Sequence, residues 1–420
     1  MPQDDGQHAR ATAEATARRS YGKLVAFLTA RTRDVAAAED ALSEAFAAAL
    51  ADWPANGTPV NPEAWLLIAA RRKMIDALRR QRSGAEATPR LLLAAEELEA
   101  AAADAAPIPD NRLALMFACA HPAIDINNHA PLILQCVLGF DAATIASAFL
   151  VSPASMSQRL VRAKNKIKQA GVPFAVPERA ELRERAGPVL DAIYATFAEG
   201  WTDAAGTETR RRNLAEEGIW LGRLVVSLMP QEPEALGLLA LMLHAEARRP
   251  ARRDADGRYV PLADQDPGKW TTHLIDEAEA LLLRASAMNK IGRYQLEAAV
   301  QSAHAARRHG TPVDWPAIVQ LYDALMAITQ SPVAAINRAI AVAEARGPAA
   351  GLAALDAIED TRLADYQPYW AARGELLARS GQIAGAEHAY ERAIGLESDA
   401  VIRNFLQRRR SELHGVTPVR

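Results

Sequence analysis

Apolar residues recur along this chain at intervals of three and four, and stretches alternating every second residue are almost absent, so the pattern predicts helices nearly throughout. The most informative stretch is Asp141–Lys168, which reads as two short helices joined by a tight turn. Ala142, Ile145, Ala146 and Phe149 sit at helical spacing before Leu150-Val151-Ser152 breaks the pattern. Ser152 then offers an N-cap oxygen, and Pro153 falls at the first helical position, where a missing N–H is no loss. At 100° per residue, Met156, Leu160, Ala163 and Ile167 share one face of the second helix, with Ser155, Gln158, Arg159, Arg162 and Lys166 opposite. A helix packed on one side and cationic on the other, entered by a short turn, suits the major groove of DNA; an ordinary surface helix pair would give the same pattern.

Before this pair, residues 11–50 read as helices broken near Thr32–Val35. Glu39, Asp40 and Glu44 lie beside the apolar Leu42, Phe46 and Leu50, a pattern that any solvated amphipathic helix would also show. The stretch Asp52–Pro62 is rich in turn residues and predicts a loop, with Asn61 and Pro62 starting the next helix. In that helix Leu67, Ile68, Arg71, Met74, Ile75 and Leu78 form the apolar face, so Arg71 is expected to bond internally. Trp65, Arg72, Lys73, Asp76 and Arg80 lie on or near the other face. An aromatic ring among cations can stack on unpaired bases while the cations hold phosphates; alternatively Trp65 packs on a neighbouring helix and the cations are solvated. Residues 83–109, Ala/Glu-rich and ending in Pro107-Ile108-Pro109, predict a linker or marginal helix, after which Asp110 is placed to cap a helix to Ala120.

Past the connector at residues 171–177, stiffened by Pro173 and Pro177, everything reads as successive amphipathic helices. These are expected near residues 185–198, 214–227, 234–248, 272–287, 294–309 and 315–329. Trp370, Gly374, Leu377, Gly381, Ala386, Tyr390 and Ala393 follow the spacing of a tetratricopeptide repeat, and Gly347 precedes Gly381 by the period of that repeat, which suggests a preceding unit over residues 336–358.

Composition supports the helical reading, since half of the 420 residues are apolar, aromatics are few and alanine dominates. The net charge of −3 hides its distribution: residues 1–177 hold 19 Lys and Arg against 18 Asp and Glu, yet the cations crowd into 71–82 and 159–168. Two local basic stretches on a neutral background suggest two contacts with a polyanion. Two cysteines, Cys119 and Cys136, are too few for a disulfide framework. Cys119 and His121 lack companions at ligand spacing, so no metal and no cofactor are expected. The first residues lack a signal-peptide pattern, and no apolar run approaches the ~20 residues of a membrane span, so a cytoplasmic location is expected. Asp264, Asp266 and Glu297 invite an acid–base or metal hypothesis, but no nucleophile, phosphate loop or His pair accompanies them, which favours a polar network or a ligand or partner groove over an enzyme.

Several phrases together resemble a known family. Ala38-Glu39-Asp40-Ala41-Leu42 with Phe46, followed by Trp65-Leu66, Ala70-Arg71-Arg72, Ile75-Asp76 and Arg79-Arg80, resembles region 2 of bacterial extracytoplasmic-function sigma factors. Ile145-Ala146 and Ser157-Gln158-Arg159-Leu160-Val161-Arg162-Ala163-Lys164 resemble region 4. Asp110-Asn111-Arg112-Leu113, Cys119-Ala120-His121-Pro122-Ala123, Ala148-Phe149-Leu150-Val151 and several later phrases resemble the subgroup with a tetratricopeptide-like C-terminal extension. Thr144 departs from that pattern, where the family usually has Glu, as do Ala120, Pro267 and Glu297.

The resemblance implies an all-α transcription initiation factor: region 2 over residues 10–82, a linker over 83–109, region 4 over 110–172 and a helical extension over 178–414. It implies contact with the RNA polymerase core, its clamp and flap, through Glu39, Asp40, Leu42, Glu44 and Phe46. The −10 element would be held by Trp53, Asn61, Trp65, Arg72, Lys73, Asp76 and Arg80, and −35 DNA by Ser155, Gln158, Arg159, Arg162 and Lys166. The extension would take a regulatory protein or ligand. A helix-turn-helix regulator with a helical-repeat sensor, never joining polymerase, is the alternative; Trp65 with the Arg71-Arg72 helix distinguishes the two, since a duplex binder needs no strand-melting element.

Overall fold

Asp34 shows how the first turn of the chain is made: in extended conformation (φ −135°) it accepts the Ala37 N–H at 3.1 Å, separating helix α1 (Pro2–Thr32) from α2 (Val35–Asn56). This is the break expected near Thr32–Val35. The computed structural model describes residues 2–81, 108–149, 151–178, 181–201, 209–359, 361–397 and 399–414. The chain is all-α: among these residues the one extended pairing is an isolated antiparallel bridge between Arg253 and Tyr259. Two compact units divide the chain, Met1–Glu199 and Gly200–Arg420.

In the first unit α2 buries Val35, Ala38, Glu39, Leu42, Ala45, Ala49 and Trp53 along one stripe against α1 and α3 (Pro62–Gln81). The loop expected at Asp52–Pro62 is shorter, because α2 continues through Pro54 to Asn56. Pro54 cannot donate to the helix, but Trp53 just before it is 2% exposed and meets Trp65 edge-on at 5.5 Å. Gly57 (φ 86°) ends the helix by donating to the Trp53 carbonyl, and Asn61 caps α3 by accepting the Ala64 N–H.

Helices α4 (Arg112–Cys119), α5 (His129–Leu138), α6 (Ala142–Ala148) and α7 (Pro153–Gln169) complete the set that positions the site. Asp110 accepts the Arg112 N–H and grips the Arg112 guanidinium, but the N-cap position itself belongs to Asn111. Helix α1 serves two groups, packing on α2 and α3 and also on α4 and α5. Its approach to α5 is as close as backbones allow: a Cβ on Gly22 would lie 2.1 Å from the Val137 carbonyl oxygen. Tyr21 beside it covers Gly139, which closes α5 in left-handed conformation (φ 76°). Helix α8 (Leu182–Trp201) contains the boundary between the units, beyond the connector at 171–177. The linker expected at 83–109 lies, up to residue 107, outside the described residues.

The second unit packs its helices in succession: α9 (Thr209–Leu228), α10 (Pro233–Ala247), α11 (Thr272–Ser286), α12 (Arg293–Ala305), α13 (Trp315–Thr329), α14 (Pro332–Arg346), α15 (Pro348–Asp356), α16 (Gln367–Arg379), α17 (Ile383–Leu396) and α18 (Ala400–Glu412). The repeat at α16–α17 follows its sequence pattern. Gly374 is small because the Tyr390 ring packs there, 3.0 Å from where a Cβ would stand, and Ala386, Tyr390 and Ala393 are buried. Helices α14 and α15 form the expected preceding pair around Gly347.

Gly22→Ala is expected to lower the stability of the first unit by about 1–3 kcal/mol through overpacking, despite a gain of up to about 1 kcal/mol in helix propensity. Urea denaturation of the full chain checks this; an unchanged or raised first midpoint would show that α1 and α5 separate without cost.

Candidate nucleic-acid interface

Helix α7 begins as its sequence requires. Ser152 accepts the Ser155 N–H at 3.2 Å, Pro153 occupies the first turn, and Met156, Leu160, Ala163 and Ile167 are buried. The turn before it is closed by the Phe149 and Val151 N–H groups on the Ile145 and Ala146 carbonyls. Asp141 caps α6, accepting both the N–H and the hydroxyl of Thr144 at 2.8 Å, and these bonds hold its carboxyl below the usual aspartate range. Thr144, the departure noted in the sequence, therefore serves the helix start.

The outward face of α7 carries Gln158, Arg159, Arg162 and Lys166, all exposed, with Ser155 half-buried at its base. Arg162 leans toward Gln158 at 3.4 Å, whereas Arg159 and Lys166 have no protein partner among the described residues. Two further cations of this helix turn elsewhere. Lys168 Nζ lies 2.6 Å from Asp34, and Lys164 Nζ donates to Glu39 at 2.6 Å. These pairs went unread in the sequence, since Lys164 and Glu39 stand 125 residues apart and neither helix's own pattern marks the other.

The two pairs differ in weight. The Lys168 side chain is 62% exposed, so its pair contributes no more than about 1 kcal/mol. Side-chain exposures of 12% and 8% leave Lys164 and Glu39 little access to solvent. Burial by itself would lower the Lys164 pKa, but the attraction and hydrogen bond of Glu39 outweigh it and hold the ammonium above the ordinary lysine value. The same enclosed acid, after burial, raises the Tyr21 hydroxyl. Glu39 keeps one carboxylate oxygen without a hydrogen-bond donor.

On α3, Trp65 is half-buried against Trp53, Arg72 and Asp76 are exposed, and Lys73 lies 3.3 Å from Glu44. Asn61 is exposed while its side-chain oxygen caps α3. Arg71 is buried. The side chain of Arg80 lies outside the described residues. Trp53 is enclosed, so in this arrangement it supports Trp65 from behind. Of the acidic helix, Asp40 and Glu44 are exposed, Phe46 is half-buried, and Leu42 faces inward with Glu39.

Cys119 and Cys136 are free and buried, and the Cys136 thiol is held well above its usual pKa by its contact with Cys119 and by burial, which disfavours the thiolate that a ligand or nucleophile needs. His121 accepts the Ala123 N–H through Nδ1. Among the described residues no group of three or more His, Cys, Asp or Glu could hold a metal ion, and no helix is long and apolar enough to cross a membrane. Asp266 caps a local turn through the Gly268 N–H, and Glu297 pairs with Arg293 at 2.8 Å.

An all-α unit with a capped helix-turn-helix, beside a bundle presenting an aromatic and cations, defines a DNA-binding protein of the kind seen in transcription. The model of sigma-70 region 2 matches residues 16–84, and a family of unknown function (DUF6596) matches residues 185–286. An uncharacterized protein of Rhizobium meliloti (strain 1021) is 39% identical over 372 residues, covering 88% of each chain. No solved structure matches. The chain belongs to the sigma-70 family, whose members act in transcription initiation with the RNA polymerase core and promoter DNA.

Breaking the enclosed pair with Glu39→Leu is expected to cost about 3 kcal/mol, because it strands the Lys164 ammonium, while the double variant Glu39→Leu with Lys164→Met recovers most of that loss. A double-mutant cycle by urea denaturation measures the coupling, and strictly additive costs would show that the pair contributes nothing of its own.

Proposed function

We propose that this chain is a promoter-specificity subunit of the extracytoplasmic-function type, with region 2 over residues 10–82 and region 4 over 110–172. Its helical extension, 178–414, regulates or supports initiation. The observation that carries this reading is the coexistence of two unlike nucleic-acid surfaces: the cationic outer face of α7 and the Trp65–Arg72 face of α3. Duplex binding alone would need only the first. Separating strands costs a few kcal/mol per base, and stacking on an aromatic ring with phosphate contacts offsets it.

In this reading Arg159 and Arg162 reach base edges at −35, joined by Gln158 and Ser155, and Lys166 holds phosphate. Trp65, Arg72, Asn61 and Asp76 engage the opened −10 strand, with Lys73 and Arg80 on the backbone. Trp53 serves from behind Trp65. Asp40, Glu44 and Phe46 meet the polymerase clamp directly, while Leu42 and Glu39 shape that helix from within. Polymerisation belongs to the polymerase, so the chain needs no catalytic group of its own.

Transcription with purified core polymerase on genomic promoter fragments tests the proposal, and absence of any start site that depends on the folded protein would overturn it. Arg159→Ala is expected to lose about 1–3 kcal/mol of binding at one −35 position, the scale of a bidentate base contact. A uniform loss across all sequences would assign Arg159 to phosphate instead.

A further inference from the structure

Two arginines past the end of α10, Arg248 and Arg252, have no carboxylate partner among the described residues. Arg248, half-buried, donates through Nε to the His244 carbonyl at 3.3 Å and through Nη2 to the Gln301 side-chain oxygen at 2.5 Å; both acceptors are neutral. Arg252 donates to the Trp201 carbonyl at 2.9 Å, its guanidinium 4.3 Å from the centre of that indole. Neither has an ion pair among the described residues. Two neighbours have carboxylate partners, Arg249 with Glu246 at 2.8 Å and Arg308 with Asp276 at 2.7 Å, while Arg253 donates to the Gly257 carbonyl and Arg307 to three loop carbonyls. Asp399, the acid whose charge reaches Arg252, is committed to capping α18 through the Val401 N–H, and Glu297 is committed to Arg293.

The surrounding groups are shifted first by burial and then by this charge. Burial and Arg248 with Arg308 push His244 down to about 3, and burial and Arg248 with Arg307 push His304 down to about 4. Arg248 itself falls to about 10 through burial and its like-charged neighbour Arg252. A guanidinium carries five N–H donors, and those of Arg248 beyond the two bonds above have no protein acceptor among the described residues. Burial and Glu297 raise the Tyr322 hydroxyl to about 12, so it stays protonated. Enclosing a cation this way is costly unless an anion joins it.

We propose that Arg248 and Arg252, with Gln301, form a receptor site in the extension for the oxyanion group, phosphate or carboxylate, of a small molecule. The planar fork of arginine suits either group. Partial enclosure of Arg248 restricts entry to a small ligand. This goes beyond promoter recognition and stands or falls apart from it.

The test is calorimetric titration of the full chain with inorganic phosphate and, separately, with succinate, at an ionic strength fixed by chloride. Saturable binding of at least one is expected, and the arm that binds identifies the group. Arg248→Gln and Arg252→Gln should each weaken it by about tenfold or more, the consequence of removing one member of an enclosed charge pair. Absence of saturable binding in both arms, or equal binding in both folded variants, would overturn the site. Thermal melting gives a second readout should one variant misfold: at a fixed anion concentration the wild-type midpoint must rise by more than that of the remaining folded variant. An equal rise in both would also overturn it.

Discussion

The contact on which the first unit depends is the enclosed pair between Lys164 and Glu39, together with the backbone approach at Gly22 that brings their helices into range. A buried ion pair is weak evidence for stability, because taking both charges out of water costs about as much as their attraction returns. Its consequence is one of register. A lysine ammonium left alone at this depth would be far more expensive than the pair is favourable, so α7 can dock on α2 in few positions other than the one seen. Gly22 acts in the same sense sterically, since no other side chain permits the Val137 carbonyl at that distance.

That registration divides the cations of α7 by their surroundings. Lys164 and Lys168 point to acids of the bundle, while Arg159, Arg162 and Lys166 face outward. A count of basic residues over 159–168 would treat all five as equivalent. The acidic helix is divided likewise: Glu39, one residue of the family phrase, is occupied from within, and its exposed carboxylates are those of Asp40 and Glu44. The surface that α2 offers to a partner in this arrangement includes those two, the half-buried Phe46 and the exposed Leu50.

What the sequence made legible follows from how local each signal is. The buried stripe of α7, the Ser152 cap, the break before Val35 and the glycines of α16–α17 depend on neighbours within a turn or two, and each stands where the pattern put it. Trp53 does not, because turn residues after it predicted a loop, whereas an aromatic on another helix holds it inside α2. The Lys164 and Lys168 pairs were illegible for the same reason. A charge on a helix face announces that it will seek an opposite charge or water, but the choice is made by packing between helices far apart in sequence. The polar phrases near residues 248–270 were legible as something other than core, though not as to which cations the fold would use.

The arginines of the second unit make that last distinction physical. Arg307 spends its guanidinium on the carbonyls of Leu262, Ala263 and Gln265 and lies over Trp270, so it fastens the loop that precedes α11. Asp266 caps a turn in the same loop. Arg249 and Arg308 are balanced by carboxylates a short reach away. In each case the charge is explained by what it holds. Arg248 and Arg252, like Arg307, hold neutral oxygens among the described residues, but they fasten no comparable loop, and Arg248 adds to the burial that lowers the pKa of His244 and His304. Since folding alone would be served at least as well by an uncharged side chain at Arg248, the charge there is explained under the proposal by an external anion, no carboxylate among the described residues pairing with it.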